Sequence, residues 1–362
     1  MRFGSLIVSV VLLGSSASGQ TPSPTRLGEQ VENALAAPEA MKTFLLQSTM
    51  ACDQNEEKTK WLVRAAMGKV EDGGLGITYA NDKTRTVSEV WRDRKANCLS
   101  LTAFYVSACR ALGMSAQFAE ASRVSVWIRN GGVILNERHV VAIVQVSGSK
   151  SLVADFSGYP YTRQTPLIPL DESRFMALFH SNRSIELLLA GHLEEAKIEA
   201  NMAVREDEDS PMAWNSLGVV EKYLNARSES EQAFRKALDV DPSYGPACGN
   251  LEGLLREEGR SSEADHFRDL GLKIREKDPY FHAFLAKEFL ASGDTDQALD
   301  QIRTALKLQH MEPDFYLILA QVEMDRGRRD AATNAVEKAI HWSLPDQKKR
   351  MESKLALIQG QS

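Results

Sequence analysis

From residue 183 onward, small residues return at a fixed interval. Gly191, Asn225, Gly259, Gly293 and Gly327 stand 34 residues apart. Five positions after each come Ala196, Ser230, Ala264, Ala298 and Ala332, and seven further on Ala203, Ala237, Gly271, Ala305 and Ala339. A strict period of this length limits the fold to a stack of short units, each burying its apolar face against its neighbours. Within a unit the pattern reads as a helical hairpin. The Gly or Asn accepts the left-handed conformation that ends the first helix, and the small residues let the two helices approach closely. Arg183, Leu217, Leu251, Leu285 and Leu319 keep the same period, and Pro211, Pro279 and Pro313 fall at unit starts, where proline suits a first helical turn. Residues 177–346 are therefore expected to form five units. Residues 347–362, with a charged and amphipathic stretch from Gln347 to Ile358, are expected to cap the array.

The second unit carries Trp214, Leu217, Gly218, Phe234, Ala237 and Pro242. With the 34-residue period, this resembles the tetratricopeptide repeat. Two departures stand out: His180 occupies an aromatic position in the first unit, and the third unit lacks a terminal proline. The resemblance implies an all-α solenoid with a concave groove, whose inner helices present Met212, Asn215, Val219, Lys222, Arg256, Tyr280, Lys287 and Gln321. That mixture suits an extended peptide or an acidic tail as partner. The alternative is an array that packs on the first half of the chain and only stabilises it.

The first half has no period. A Pro/Thr/Ser-rich stretch, Gln20 to Arg26, precedes helical patterns over 28–50 and 56–70, a Gly-rich turn at Glu71 to Gly76, and a short helix over Val87 to Arg94. Cys98 to Leu112 reads as a largely apolar helix ended by Gly113. Strands are expected over Ser115 to Ala119, His139 to Val146 and Ser151 to Phe156, the last two joined by a turn within Ser147 to Lys150. Residues 157–176, with Pro160, Pro166 and Pro169, read as an irregular connection. The expected class for residues 20–176 is α+β, a central helix followed by an antiparallel sheet.

Cys98 opens that helix, where unpaired amides and the helix dipole favour a thiolate. His139 and Asp155 follow in chain order, a base and an orienting carboxylate for a cysteine nucleophile. Each has an ordinary reading as well: a core cysteine, a satisfied histidine at a strand start, a turn carboxylate. The segments Arg94-Lys95-Ala96-Asn97-Cys98-Leu99-Ser100-Leu101-Thr102, Asn136-Glu137-Arg138-His139-Val140 and Ala154-Asp155-Phe156 resemble the transglutaminase-like superfamily, over roughly residues 75–160. The resemblance implies a papain-like fold in which Cys98 is nucleophile, His139 base and Asp155 orienter. It points to an exported cysteine peptidase or amidase fused to tetratricopeptide repeats, with a protein-binding platform of the same fold as the alternative. Ala96 replaces the family's usual glycine, and Val141 and Val153 stand in the region of its usual tryptophans. With no acidic cluster for calcium, these departures argue against calcium-dependent crosslinking.

The N-terminus carries Arg2, an apolar run from Leu6 to Leu13 that is too short to span a bilayer, and small residues Ala17-Ser18-Gly19. Residues 1–19 are thus expected to be a signal peptide, the mature protein being periplasmic or secreted with no membrane span after cleavage. A net charge of -6 gives no basic footprint for nucleic acid. The four cysteines, Cys52, Cys98, Cys109 and Cys248, show no CxxC spacing, so no zinc site is expected, and no cofactor is implied. Cys98 and Cys109 lie about three helical turns apart, too far to bridge.

Overall fold

The computed structural model describes residues 9–11, 34–80, 82–130, 133–148, 150–156 and 167–343, with 352, 353 and 356 beyond them. Its first half holds β1 (Ser9–Val11), α1 (Glu39–Ser48), α2 (Asn55–Met67), a single 3-10 turn (Val70–Asp72), β2 (Thr78–Tyr79), α3 (Val87–Asp93), β3 (Lys95–Ala96) and α4 (Cys98–Ala111). It continues with β4 (Ala116–Asn130), β5 (Val133–Ser147), β6 (Lys150–Ala154) and β7 (Leu167–Leu170). Of the expected helix at 28–50, residues 28–33 lie outside those described, and within 34–50 the helix is α1.

Helix α4 is the centre of this half. Every residue from Cys98 to Cys109 is buried, so the helix is covered all round rather than on one stripe. Helices α1, α2 and α3 and strands β4 and β5 all pack against it, and α2 also meets β5. Asn97 starts it: the side-chain oxygen accepts from the Ser100 amide at 2.9 Å, satisfying one orphan donor of the first turn.

The main sheet runs β1-β5-β4-β7, with β6 beside β5. β1 and β6 share one edge of β5, pairing at Ile134 to Asn136 and Ala142 to Ser147 respectively. β4 is far longer than the expected Ser115 to Ala119. The polar residues after Ala121 break the apolar alternation at a register shift between Ala121 and Ser125, and beyond that bulge the pairing with β5 resumes. The turn into β6 also differs from the simplest hairpin. Ser147 pairs with Lys150, and a further shift follows between Gln145 and Ser147. The stretch expected to be irregular contains β7 and the start of the first array helix.

Among the described residues the second half holds five helical hairpins: α5 (Glu172–Leu189) with α6 (Leu193–Glu206), α7 (Pro211–Tyr223) with α8 (Arg227–Val240), and α9 (Gly245–Glu257) with α10 (Ser261–Arg275). These are followed by α11 (Pro279–Ser292) with α12 (Thr295–Leu308) and α13 (Pro313–Asp325) with α14 (Arg329–Trp342). All five periodic turn residues have positive φ, between 60° at Asn225 and 85° at Gly191. Ala196, Ser230, Ala264, Ala298 and Ala332 are fully buried between paired helices. In the second unit the contact is tight: the Ser230 hydroxyl donates to the Gly218 carbonyl at 2.7 Å, and a Cβ at Gly218 would lie 2.6 Å from the Phe234 ring. Most of the expected cap, Gln347 to Ile358, lies outside the described residues.

The two halves share a core. The apolar cluster around α4 continues into Met212, Ala237, Tyr244 and Ala247 of the array. β1 packs against α7 and α9, and β4 against α11. The first helices of the second, third and fourth units therefore meet strands of the first half.

Candidate functional site at the start of helix α4

Cys98 is the first residue of α4 and is 2% exposed. Thr102, one turn later on the same helical face, donates from its hydroxyl to the Val140 carbonyl at 3.5 Å. The face that carries Cys98 thus lies against β5 at the residue following His139. On β5, His139 sits opposite Ala121 of β4. Asp155 directly follows β6, whose last residue Ala154 pairs with Ala142. A two-residue turn at Ser147-Gly148 would set Val140 opposite Asp155. The observed register, extended one step, sets Val141 there instead.

A buried polar cluster supports the start of α4 from behind. The Thr84 hydroxyl spends all its hydrogen-bonding capacity: it donates to Glu186 Oε1 at 2.7 Å and accepts from Asn97 Nδ2 and Asn182 Nδ2, each at 2.9 Å. The Thr84 amide donates to the other Glu186 oxygen at 2.7 Å. Thr84 is 1% exposed, and Asn97 and Asn182 are buried with it. Burial pushes the Glu186 carboxyl up, against the two Thr84 bonds that pull it down. The next residue extends the support: the Arg85 amide donates to Ser100 Oγ at 2.7 Å, and its buried guanidinium grips both oxygens of Asp82 at 2.6 and 2.8 Å. That pairing lowers the Asp82 carboxyl to about 2. Thr86 and Glu89 then form a capping box that starts α3.

None of Thr84, Asn182 or Glu186 stands out in the sequence as a site residue. Asn182 reads only as a glycosylation sequon within a helix, and its burial closes it to a glycan. The one local signal is Asn97, a helix-capping residue placed just before a long apolar run.

The other cysteines are structural in character. Cys109 is fully buried, and burial pushes its thiol up to about 12; Cys248 is likewise buried and raised to about 11. Cys52, Cys109 and Cys248 carry no disulfide. Among the described residues no group of three or more His, Cys, Asp or Glu side chains is arranged to hold a metal ion, and no helix is long and apolar enough to cross a membrane.

The inner helices correct one expectation. Met212, Asn215 and Val219 are buried and do not line an open groove. Met212 joins the core shared with the first half, and Asn215 accepts from Asn250 Nδ2 at 2.9 Å. Lys222 pairs with Glu257 at 2.8 Å, and Arg256 with Glu252 at 3.0 Å and Asp265 at 3.2 Å. Tyr280 donates to Glu312 at 3.1 Å. Of the eight positions, Arg256, Lys287 and Gln321 are exposed.

A tetratricopeptide-repeat family model matches residues 213–244, so the chain contains this repeat. Among solved structures, the chain is similar to YrrB, a TPR protein described as having an unusual peptide-binding site. The identity is 20% and the TM-score 0.26, over 51% of this chain and 92% of that one. It is similar to PilF of Pseudomonas aeruginosa at 18% identity and a TM-score of 0.28, over 53% of this chain and 87% of that one. A third is a thermophilic TPR protein of Thermus thermophilus, at 17% identity and a TM-score of 0.28, over 51% of this chain and 98% of that one. No curated protein matches the chain.

Proposed function

We propose that the protein is a binding scaffold whose repeat array takes a peptide or protein partner on the inner helices of its fourth and fifth units. The observation that carries this is the contrast along the array. Met212, Asn215 and Val219 of the second unit are buried, Met212 in the core shared with the first half, whereas Lys287 of α11 and Gln321 of α13 remain exposed even though α11 also meets β4. Lys222 and Arg256 already have carboxylate partners, so charge alone does not select the ligand, and an extended segment with mixed polar and apolar side chains fits better than an acidic tail. The test is selection of a displayed random-peptide library on the full chain, followed by calorimetry. Selected peptides are expected to lose roughly tenfold or more in affinity on the double variant Lys287→Glu, Gln321→Ala. Equal binding to that variant overturns the assignment.

A second reading keeps the first half as a transglutaminase-like, papain-like cysteine peptidase or amidase. One observation favours it. Cys98 opens a capped helix whose Cys98-bearing face lies against β5 beside His139. On β5 it is Val140 and Ala142 that share the core with Cys98, and the register extended one step past Ala154 would set position 155 opposite 141, out of phase with that face, so the reading rests on the helix start alone. In this reading His139 takes the thiol proton and the thiolate attacks an amide carbonyl. The amine leaves with the proton returned by His139, and water hydrolyses the thioester while Asp155 steadies the imidazolium. The test is Cys98 alkylation against pH. A thiol pKa well below the ordinary value of about 8.5, lost in His139→Ala, supports it; an ordinary or unreactive thiol in both proteins sinks it.

The proposed location is periplasmic or secreted, on the strength of Arg2, the apolar run and the small residues before Gln20. The mass of the protein recovered from its host reads this directly: loss of residues 1–19, which takes β1 away from the edge of β5, is expected, and an intact N-terminus in the cytoplasm refutes it.

A further inference from the structure

Two of the residues around Thr84 do not belong to the half of the chain that carries Cys98. Asn182 and Glu186 lie one turn apart on α5, the first helix of the array. Between them they hold the Thr84 hydroxyl and amide through three bonds of 2.7 to 2.9 Å. Thr84 in turn takes a bond from Asn97, the residue before Cys98 and the cap of its helix. The chain of contacts is short and buried, and each member has a defined direction. The Asn97 side chain must turn its nitrogen to Thr84 and its oxygen to the Ser100 amide, so Thr84 fixes which way the cap faces. Beside it, Arg85 fixes Ser100 from the same loop. Removing either α5 side chain leaves a buried partner group unsatisfied and loosens the cap rather than the body of α4.

We propose that Asn182 and Glu186 are positioning residues for the first turn of α4, and through it for Cys98. The array's first helix is then a working part of the thiol site. The bearing on Cys98 rests on the cysteine-enzyme reading above; the bearing on the first turn of α4 does not.

Hydrogen–deuterium exchange on the full chain tests the first part. The amides of Ser100 and Leu101, which bond to Asn97, are the reporters, and those within α13 are the control. Asn182→Ala and Glu186→Gln are each expected to speed exchange at the reporters roughly tenfold while leaving α13 unchanged. Thr84→Ser, which keeps the hydroxyl, is expected to match the wild type. Unchanged reporters, or reporters and α13 speeding together, overturn the proposal. Alkylation of Cys98 against pH in the same variants tests the second part. A wild-type thiol with a depressed pKa that moves in Glu186→Gln supports the link. The same depressed pKa unmoved by Glu186→Gln overturns it. Faster exchange around an ordinary wild-type thiol leaves the positioning of α4 standing and removes the enzyme reading instead.

Discussion

Phe104 in α4 and Phe315 in α13 are both buried aromatic side chains, yet they belong to different kinds of core. Phe104 sits in a cluster drawn from α1, α2, α3, the sheet and three repeats. Phe315 sits in a smaller cluster built from the fourth and fifth units alone, where its ring meets Tyr280 edge-on with centroids 5.2 Å apart. The first core depends on contacts between distant parts of the chain and is complete only when all of them are present. The second is assembled from neighbouring hairpins and is nearly repeated from unit to unit. Cooperativity therefore resides in the first half and its docked repeats, and less in the distal array.

Removing the two rings tests this most severely. Phe104→Ala and Phe315→Ala are each expected to cost roughly 3–5 kcal/mol at their own site. In exchange measurements, Phe104→Ala is expected to lower protection across α1 to α4 and the sheet together. Phe315→Ala should lower it only in α11 to α14. Equal loss everywhere in both variants means a single cooperative unit, and the distinction between the two cores fails.

A pH titration separates the same regions by a second route. Glu312, 3% exposed, caps α13. Burial, then the charge of Asp314, raises its carboxyl to about 8, against bonds from the Asp314 amide and the Tyr280 hydroxyl that lower it. The folded state therefore keeps a proton that the unfolded chain releases near its ordinary value of 4.5. Stability from this group is full below that value, falls as pH rises, and is gone above about 8. The slope reaches at most about 1.4 kcal/mol per pH unit. Local stability of α11 to α14, followed by exchange at several pH values, is expected to decline over this window in the wild type and to flatten in Glu312→Gln. Parallel profiles refute the assignment. In the first half the sign is opposite: Asp82, lowered from its ordinary 3.8 to about 2 by Arg85, contributes stability that is full above the ordinary value and is lost as pH falls from there through about 2.

The close approach of Gly218 to Phe234 gives the next effect. Gly218→Ala drives a methyl into the ring and is expected to cost about 1–3 kcal/mol, read from denaturant midpoints. Gly253→Ala is the comparison, since at Gly253 a Cβ would meet only the Lys222 amine at 4.0 Å. There the gain in helix propensity, up to about 1 kcal/mol, should show. Destabilisation of equal size at both glycines shows that tight packing at Gly218 is not the cause.

What can be read from the sequence follows from the same contrast. The array declares itself because each feature is written five times, and the turn residues, the buried small residues and the helix pairs all fall where the period puts them. Periodicity cannot say which inner positions another part of the chain will cover. Met212 reads as a groove residue because the core that buries it is shared with the first half, and Val219 because neighbouring repeats close over it. In that half, the central helix is readable from its cap and its largely apolar run. The length of β4 is not, because a bulge at polar residues interrupts the alternation. The cluster around Thr84 is invisible for another reason. Its bonds to Asn182 and Glu186 span 98 and 102 residues, and no local pattern marks single polar residues whose partners lie so far along the chain.

The mildest perturbation isolates what the repeat itself requires. Among the described residues, Arg94 and Asn225 are the non-glycine residues with positive φ, at 53° and 60°. Asn225 occupies a turn where the other four units have glycine, and its short amide side chain tolerates the left-handed region. Asn225→Gly removes residual strain but enlarges the freedom of the unfolded chain, so the two terms nearly cancel, to within about 0.5 kcal/mol. Asn225→Ala has no such tolerance and is expected to lose about 1 kcal/mol. Arg94 ends α3 once, without repetition, and its guanidinium stacks 3.9 Å above the Trp91 ring. Arg94→Gly relieves the same backbone strain but loses that stacking, about 0.5–1 kcal/mol, and is expected to be the more costly glycine substitution. Thermal melts of the three variants decide the matter. If Arg94→Gly is as neutral as Asn225→Gly, the side chain at 94 contributes nothing, and the left-handed residue of the first half is as interchangeable as those of the array.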